Sequence, residues 1–322
     1  MKRILSILFV LVFLSCGQEA SDTKSVLENA VPSSSDRGVS LLILGTVQDA
    51  GRPHIDCKAD CCLPENLSRT PQNVVSLALA NAEEKRFFLF EATPDITAQL
   101  RLTNEFLPDY PSLPSAVFLT HAHIGHYSGL MYFGKEAKGA KAVPVYNMPR
   151  MSVFLKENGP WGQLVTDDNI RLFPMVADSA IAFKSKIRVT PFIVPHRDEY
   201  SETVGYIIEG PDKKVLFIPD INKWSVWDRD IVALVEQVDL AFLDGSFYDE
   251  KELPGRNMEE IPHPFIIESM ALFDGLSPAE RNKIHFIHMN HTNPLLDSTS
   301  LEYKQVTMKG YRIAQQGELY DL

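Results

Sequence analysis

Histidines in this chain are grouped in a way that suits metal chemistry. Residues 120–126 read THAHIGH and follow the short apolar run AVFLT, which predicts a strand. In extended backbone the side chains of His121 and His123 project to one side, so two imidazoles can converge on one ion. His126 follows three residues later and can turn towards a neighbouring ion. The spacing predicts a zinc site, because imidazole nitrogen is a usual zinc ligand.

Three more polar residues stand at the ends of predicted strands. His196 ends VTPFIVPH, Asp220 ends KKVLFIPD and His288 ends KIHFIH. Polar side chains at strand ends sit on a rigid scaffold and are a usual way to build a site. Taken singly, the aspartate has an ordinary explanation as a turn residue and each histidine as a hydrogen-bonded side chain. Taken together with the histidine cluster, they predict one metal centre.

The order THAHIGH, VPH, FIPD and FIHMNH resembles the metallo-β-lactamase-fold hydrolases. The resemblance implies an α/β fold, an αββα sandwich of two mixed sheets flanked by helices, with the site along one edge of the sheets. It implies that His121, His123 and His196 hold a first zinc. It also implies that His126, Asp220 and His288 face a second ion, with Asp220 bridging. Asp220 and His126 are the residues expected to take part in catalysis.

One position departs from that family. Where the family has an aspartate before the third histidine of the cluster, this chain has Gly125. We therefore expect one tight active-site zinc and a second, weaker one. An aspartate placed at position 125 is expected to tighten the weaker position.

A cysteine group indicates a separate structural site. The segment LGTVQDAGRP precedes Cys57, Cys61 and Cys62, and HMNHTNP places His291 three residues after His288. Both segments resemble pyrroloquinoline quinone biosynthesis protein B and the phosphonate-pathway cyclic phosphodiesterase. That resemblance implies a structural zinc held by these cysteines and His291. A disulfide from Cys57 to one of the other two cysteines is the alternative, because exported proteins commonly contain disulfides.

The elements that must position these residues follow from hydrophobic patterning. Strands are predicted at residues 39–44, 87–90, 116–120, 143–146, 187–194, 203–209, 215–218, 238–243 and 284–287. Helices are predicted at 95–105, 231–238, 265–273 and from Ser277, while 74–82 is ambiguous. Paired strands come first and helices intervene later, and the scheme occurs twice. This favours two sheets between helices over a barrel.

The N-terminal residues predict export. Residues 1–15 combine Lys2 and Arg3 with an apolar core too short to span a bilayer comfortably. The run ends in FLSCG, which resembles a lipoprotein cleavage site and implies acylation of Cys16; an ordinary secretory signal is the alternative. Residues 16–38 are polar and predict a flexible tether, and 39–322 form the predicted metallo-β-lactamase-like domain. The expected location is a bacterial membrane surface, reached through the lipid anchor.

Composition indicates a folded protein and argues against nucleic acid as its partner. The 322 residues are 45% hydrophobic, which is typical of an ordinary folded protein. Lys and Arg number 31 against 42 Asp and Glu, so nucleic acid is an unsuitable partner. A small-molecule substrate is expected, and the oligomeric state is left open.

Three function hypotheses remain from the sequence. The first is a zinc-dependent hydrolase whose zinc-bound hydroxide attacks an ester, lactone, amide or phosphodiester. The second is a non-hydrolytic metal protein like pyrroloquinoline quinone biosynthesis protein B. The third is a catalytically silent metal-binding lipoprotein. Two roles are open to His263, which lies between two prolines: a side chain that reaches the pocket or, as we interpret it, a turn residue.

Overall fold

Most of the apolar runs form strands, and the strands of the part of the chain that the structure describes assemble into two sheets of seven. The structure, a computed structural model, describes residues 38–64, 67, 72–253, 255, 257 and 260–322. The predicted signal peptide, Cys16 and the tether up to residue 37 lie outside the described residues. All described residues belong to one compact unit.

Each sheet combines an antiparallel part with a parallel part. Strands of the first sheet are β1 (Val39–Gly45), β2 (Ser76–Asn81), β3 (Arg86–Phe90), β4 (Ala116–Phe118), β5 (Val143–Asn147), β6 (Ile170–Pro174) and β14 (Leu319–Asp321). Their order is β14-β1-β2-β3-β4-β5-β6. Pairing is antiparallel from β14 to β3 and parallel from β3 to β6. The ambiguous segment 74–82 supplies β2, which is buried on both faces and so shows no alternation.

The second sheet repeats this plan. Its strands are β7 (Ile181–Ala182), β8 (Arg188–Ile193), β9 (Val204–Glu209), β10 (Lys214–Ile218), β11 (Leu240–Asp244), β12 (Ile284–Ile287) and β13 (Arg312–Ile313). The order is β13-β12-β11-β10-β9-β8-β7, antiparallel from β7 to β10 and parallel from β10 to β13. The predicted repetition of paired strands followed by helices is therefore confirmed.

Three apolar layers hold the sheets and helices together. The helices are α1 (Ile96–Phe106), α2 (Ile124–Tyr127), α3 (Pro149–Glu157), α4 (Trp161–Thr166), α5 (Ile231–Glu236), α6 (Ile266–Leu272), α7 (Pro278–Arg281) and α8 (Leu301–Met308). A central core joins the facing sides of the sheets, where Phe90 meets Tyr206 with ring centres 5.4 Å apart. A second layer packs α1, α3 and α4 on the first sheet, and a third packs α5, α6 and α8 on the second. This is the predicted αββα sandwich.

Local sequence signals explain several helix ends. The Asp230 carboxylate accepts hydrogen bonds from two backbone amides at the start of α5, and the Ser277 hydroxyl accepts one at the start of α7. Ser300 does the same for α8. Such caps satisfy amides that have no partner within the helix. Among the described residues, no helix has the length and apolar content that crossing a bilayer requires.

Candidate metal centre

One edge of the sandwich collects the polar residues that follow the strands. The strands β1, β4, β8, β10, β11 and β12 all run towards this edge, as their pairing requires. Residues just beyond their ends therefore meet there. These are Asp49, His121, His123, His126, His196, Asp220 and His288, with Asp244 at the last position of β11, and the loop between β11 and α6 adds His263.

A first group matches the predicted zinc ligands. One ligand atom from each of His121, His123, His196 and Asp220 lies within 4.8 Å of the others. His121 Nε2 is 2.8 Å from His123 Nδ1 and 3.4 Å from Asp220 Oδ2, and His196 Nε2 is 3.2 Å from Asp220 Oδ1. The last two atoms are buried without a hydrogen-bond partner. Because buried polar atoms are rarely left unpaired, this donor set fits a cation between the four side chains.

The outer nitrogens of three histidines have polar partners. His121 Nδ1 lies 2.9 Å from Thr120 Oγ1, and His288 Nδ1 lies 2.9 Å from Ser246 Oγ. His196 Nδ1 lies 3.2 Å from Asn222 Oδ1. These contacts orient each ring so that Nε2 points into the group, which is how metal-binding histidines are usually held.

Burial sets the protonation of the first group. Burial, followed by the neighbouring His126, holds the pKa of His121 well below its usual range, and burial also lowers the pKa of His123. Both rings are thus neutral at pH 7, the state that binds a metal. The Asp220 carboxyl is buried, which disfavours its charge, but its histidine neighbours hold its pKa well below the usual range.

A second group contains an aspartate that the sequence did not predict. His126, Asp220 and His288 are joined by Asp49, again with ligand atoms within 4.8 Å. Asp49 Oδ1 is 2.9 Å from His126 Nε2 and 3.3 Å from His288 Nε2. Asp220 Oδ2 is 3.7 and 3.8 Å from the same two nitrogens. Asp220 therefore belongs to both groups, as expected of a bridging residue.

Gly125 leaves no carboxylate next to His126 in the sequence, yet the structure places the carboxylate of Asp49 beside this histidine. Asp49 lies there because the segment after β1 passes over α2, although it is far from the histidine cluster in sequence. Burial disfavours charge on His126, but Asp49 and Glu91 raise the pKa of its ring well above the usual value. Glu91 itself is buried, with Oε1 3.5 Å from His126 Nδ1.

His263 also lies in the centre, so its interpretation as a turn residue is wrong. It is 5% exposed. Its Nδ1 is 2.8 Å from Asp244 Oδ2 and 3.2 Å from Asp220 Oδ1. Burial would lower the pKa of His263, but Asp244 and Asp220 outweigh it and raise the value to about 9. The ring thus lies between two carboxylates, which favour its protonated form, and this arrangement suits a proton donor.

The cysteine group forms a separate cluster. Cys57, Cys61, Cys62 and His291 place their ligand atoms within 4.8 Å, and the sulfur atoms are not bonded to one another. The sulfur of Cys61 is 3.9 Å from that of Cys57 and 4.0 Å from that of Cys62. These separations approach the edge of about 3.8 Å that a tetrahedron with Zn–S bonds of about 2.3 Å would have. Burial, followed by His54, lowers the pKa of His291 to about 4, so its ring is neutral and free to bind a metal.

The centre opens to solvent beside His123. Glu199 is half-exposed, and its Oε2 lies 3.5 Å from His123 Nε2. The polar loop that carries Glu199 is held by Arg150, whose Nη2 donates to the carbonyl oxygen of Asp198 at 2.7 Å. This loop therefore borders the partly exposed side of the metal centre.

Known proteins resemble the chain over most of its length. "Coenzyme PQQ synthesis protein B" of Methylorubrum populi is 24% identical over 312 residues, covering 88% of this chain and 99% of that protein. The protein of the same name from Gluconobacter oxydans is 24% identical over 311 residues, with the same coverage of both chains.

Solved structures show the same fold. Zn(2+)-bound PqqB from Methylobacterium extorquens has a TM-score of 0.72 at 23% identity and covers 88% of this chain and 100% of its own. A diphosphatase from the PhnP family has a TM-score of 0.60 at 20% identity, covering 88% and 96%.

The family match spans most of the elements that build the site. The Beta-lactamase superfamily domain matches residues 86–289, from the start of β3 to the residue after His288. With its metallo-β-lactamase fold and its histidine and aspartate groups at the sheet edge, the chain belongs to the beta-lactamase superfamily.

Proposed function

We propose that the protein is a zinc-dependent hydrolase acting on an ester, lactone, amide or phosphodiester. One observation carries the proposal. Asp220 is shared by two groups of metal-binding side chains and is also contacted by the buried His263. A site of this kind combines positions for a cation with a proton donor and an opening to solvent.

The chain's own residues have distinct roles in this proposal. Zinc in such a site lowers the pKa of a bound water and polarises the bond to be broken. His121, His123 and His196 would hold the first ion, and Asp220 accepts a hydrogen bond that orients the attacking water. His126 and His288 complete the second position or contact the substrate. His263, held in place by Asp244, donates a proton to the leaving group.

Names of the structural neighbours guide the choice of substrates. They include the PhnP-family diphosphatase, at 20% identity, and human tRNase Z, short form, at 13%. At this distance the likeness concerns the fold, so these activities are a reason to include phosphodiesters in the assay and nothing more.

The test is hydrolysis by the full chain loaded with zinc. Lactones, β-lactams, phosphodiesters and phosphonate esters form the panel, and His121→Ala/His123→Ala serves as the metal-deficient control. We expect turnover of at least one class by wild type and a loss of about a hundredfold or more in the control. Zinc-loaded protein that hydrolyses no member of the panel contradicts the proposal.

A second candidate is a non-hydrolytic metal protein like Coenzyme PQQ synthesis protein B. The match to the protein of that name from Methylorubrum populi covers 99% of that protein's length. Bound zinc at the histidine centre without hydrolysis of any substrate would favour this candidate. If the zinc-loaded protein also fails to convert a quinone precursor, the result favours the third hypothesis, a catalytically silent metal-binding lipoprotein.

A further inference from the structure

We infer that Asp49 is a metal ligand of the second position, in place of the aspartate that the family motif would put at residue 125. The inference concerns the metal site of the proposed hydrolase, but it rests on ligand geometry and not on hydrolysis. Its test therefore reads metal binding, so the inference can fail while the proposed function stands, and the reverse.

The position of the Asp49 carboxylate is that of a ligand. Oδ1 lies 2.9 Å from His126 Nε2 and 3.3 Å from His288 Nε2, the two nitrogens that face the second position. Together with Asp220 these atoms form a four-donor set within 4.8 Å. Two imidazole nitrogens and two carboxylate oxygens are ligands that zinc accepts in proteins.

Gly125 is explained by the room that Asp49 needs. A Cβ atom built on Gly125 would lie 2.4 Å from Asp49 Cα and 2.7 Å from both Asp49 Cβ and Cγ. Carbon atoms in ordinary contact are about 3.5–4.0 Å apart, so any side chain at 125 would push this segment away. Gly125 lies in α2 and adopts no positive φ, so backbone strain does not account for the glycine.

The backbone around Asp49 is fixed on both sides. Val47 forms bridges to Val74 and Met289, and the Gln48 amide donates to the Met289 carbonyl oxygen at 2.9 Å. The Gly51 amide then donates back to the Gln48 carbonyl oxygen at 2.8 Å. The resulting turn holds Asp49 beside His288, because the segment of Asp49 pairs with the segment that carries His288. A ligand position prepared in this way needs little reordering when an ion binds.

The Asp49 carboxylate beside His126 and any side chain at position 125 therefore exclude each other. An aspartate at position 125 would place the carboxylate on the helix that carries His126, whereas Asp49 brings it from the segment after β1. The consequence is that the second position, contrary to the sequence expectation, has a full ligand set. It also follows that Gly125→Asp weakens zinc binding at the second position, because the new side chain pushes the Asp49 carboxylate away from the ion.

The test measures zinc at each position of the full chain. Asp49→Asn keeps the side-chain volume but removes the charge, Asp49→Ala removes the ligand, and Gly125→Ala displaces the segment without altering any ligand atom. The matched control is Asp56→Asn on the same segment, since Asp56 is 86% exposed and lies at a positive φ that asparagine adopts readily. Zinc is titrated into the apo-protein to measure the affinity of each position. Anomalous scattering locates each ion, and thermal melting of the apo forms checks folding.

We expect wild type to hold two ions at the histidine centre, with one in contact with Asp49. Asp49→Ala should weaken that ion about tenfold or more while the ion between His121, His123 and His196 is retained. Asp49→Asn and Gly125→Ala should weaken it as well, and Asp56→Asn should not. Wild-type affinity at the second position in both Asp49 variants overturns the inference, as does a wild type that binds no second ion at saturating zinc. In either case Asp49 is only a hydrogen-bond partner of the two histidines.

Discussion

Two imidazole nitrogens that face each other at 2.8 Å define the first metal position. His121 Nε2 and His123 Nδ1 both belong to rings whose pKa is lowered, so neither ring carries a second proton. We expect His121→Ala/His123→Ala to lose about one zinc per chain, because two of the four donors are removed. Elemental analysis of dialysed protein measures the loss.

The same double variant should remain folded. His121 is fully buried and contacts Thr120, so its truncation is expected to lower the free energy of unfolding by about 1–3 kcal/mol. His285→Ala is the matched control, since His285 is equally buried but belongs to none of the metal groups. Unchanged zinc in the double variant, or equal loss in the control, would rule out the assignment.

Spacing made some site residues predictable and others not. His121, His123 and His126 repeat within one short segment, and His196, Asp220 and His288 each end an apolar run, so type and position both carried information. Asp49 and His263 stand alone in polar loops, where an aspartate or histidine has many ordinary roles. Asp244 ended an apolar run just as Asp220 does, and that signal was present but unused.

At the level of elements, β12 carries a buried histidine outside the metal centre. His285 packs against Phe242, its neighbour on β11, with ring centres 4.9 Å apart, and lies 3.3 Å from the Tyr320 hydroxyl. Burial, with a contribution from Arg312, lowers the pKa of His285 from 6.5 to about 3. The folded protein therefore keeps this ring neutral where the unfolded chain would protonate it.

This difference predicts how stability depends on pH. Between about pH 6.5 and pH 3 the unfolded state binds the extra proton, so stability falls as the pH falls. Acidification from pH 7 to about pH 4.5 should cost wild type about 2–3 kcal/mol more than His285→Gln, which cannot titrate. Urea unfolding of both proteins at the two pH values measures it. Parallel losses in the two proteins would show that His285 contributes no such term.

Two segments each contribute to both metal clusters. The segment after β1 carries Asp49 and then Cys57, and the segment after β12 carries His288 and then His291. The pairing of Gln48 with Met289 joins the two segments between these sites. An ion in the cysteine cluster is therefore expected to stabilise the second position of the histidine centre.

Removing the cysteine cluster tests this coupling. Cys57→Ser/Cys61→Ser should lose one zinc, lower the melting temperature by about 5 °C or more, and weaken the second histidine-centre ion more than the first. Thiol titration of denatured, non-reduced wild type distinguishes the alternatives. A count lowered by two with no zinc at the cluster would show a disulfide and contradict the structural site.

Predictability of the elements depended on burial pattern. Strands such as β10 and β12 are mostly apolar, with Lys214 and His285 as their polar residues, and polar residues bound them, so their limits followed from the sequence. The edge strands β7, β13 and β14 have only two or three residues and owe their pairing to neighbours that are distant in sequence. No local pattern encodes such contacts.

For the whole molecule, the repeated sheet plan explains why distant residues meet. Both sheets send their strand ends to one edge, so ligands from Asp49, the cluster at 121–126, His196, Asp220 and His288 converge although these segments are far apart in sequence. The order of motifs predicted the fold for this reason. The loops that border the site, such as the one carrying Glu199, were not predicted in this way, because loop conformation has no periodic signal.

Export and lipid anchoring of the whole chain is a further prediction, and it rests on the sequence alone. The apolar core of residues 1–15 ends in Leu14-Ser15-Cys16, and a polar stretch follows. One acyl chain gives only marginal membrane binding, whereas multiple acylation anchors a protein stably. We therefore expect the full chain in the membrane fraction, with a mature N-terminus at an acylated Cys16, and we expect Cys16→Ser to block processing or release the protein. Mass spectrometry of the N-terminal peptide and cell fractionation measure both effects, with Ser15→Ala as the matched control. A freely soluble protein whose unmodified N-terminus begins elsewhere would show an ordinary secretory signal, leaving the metal centre without a membrane anchor.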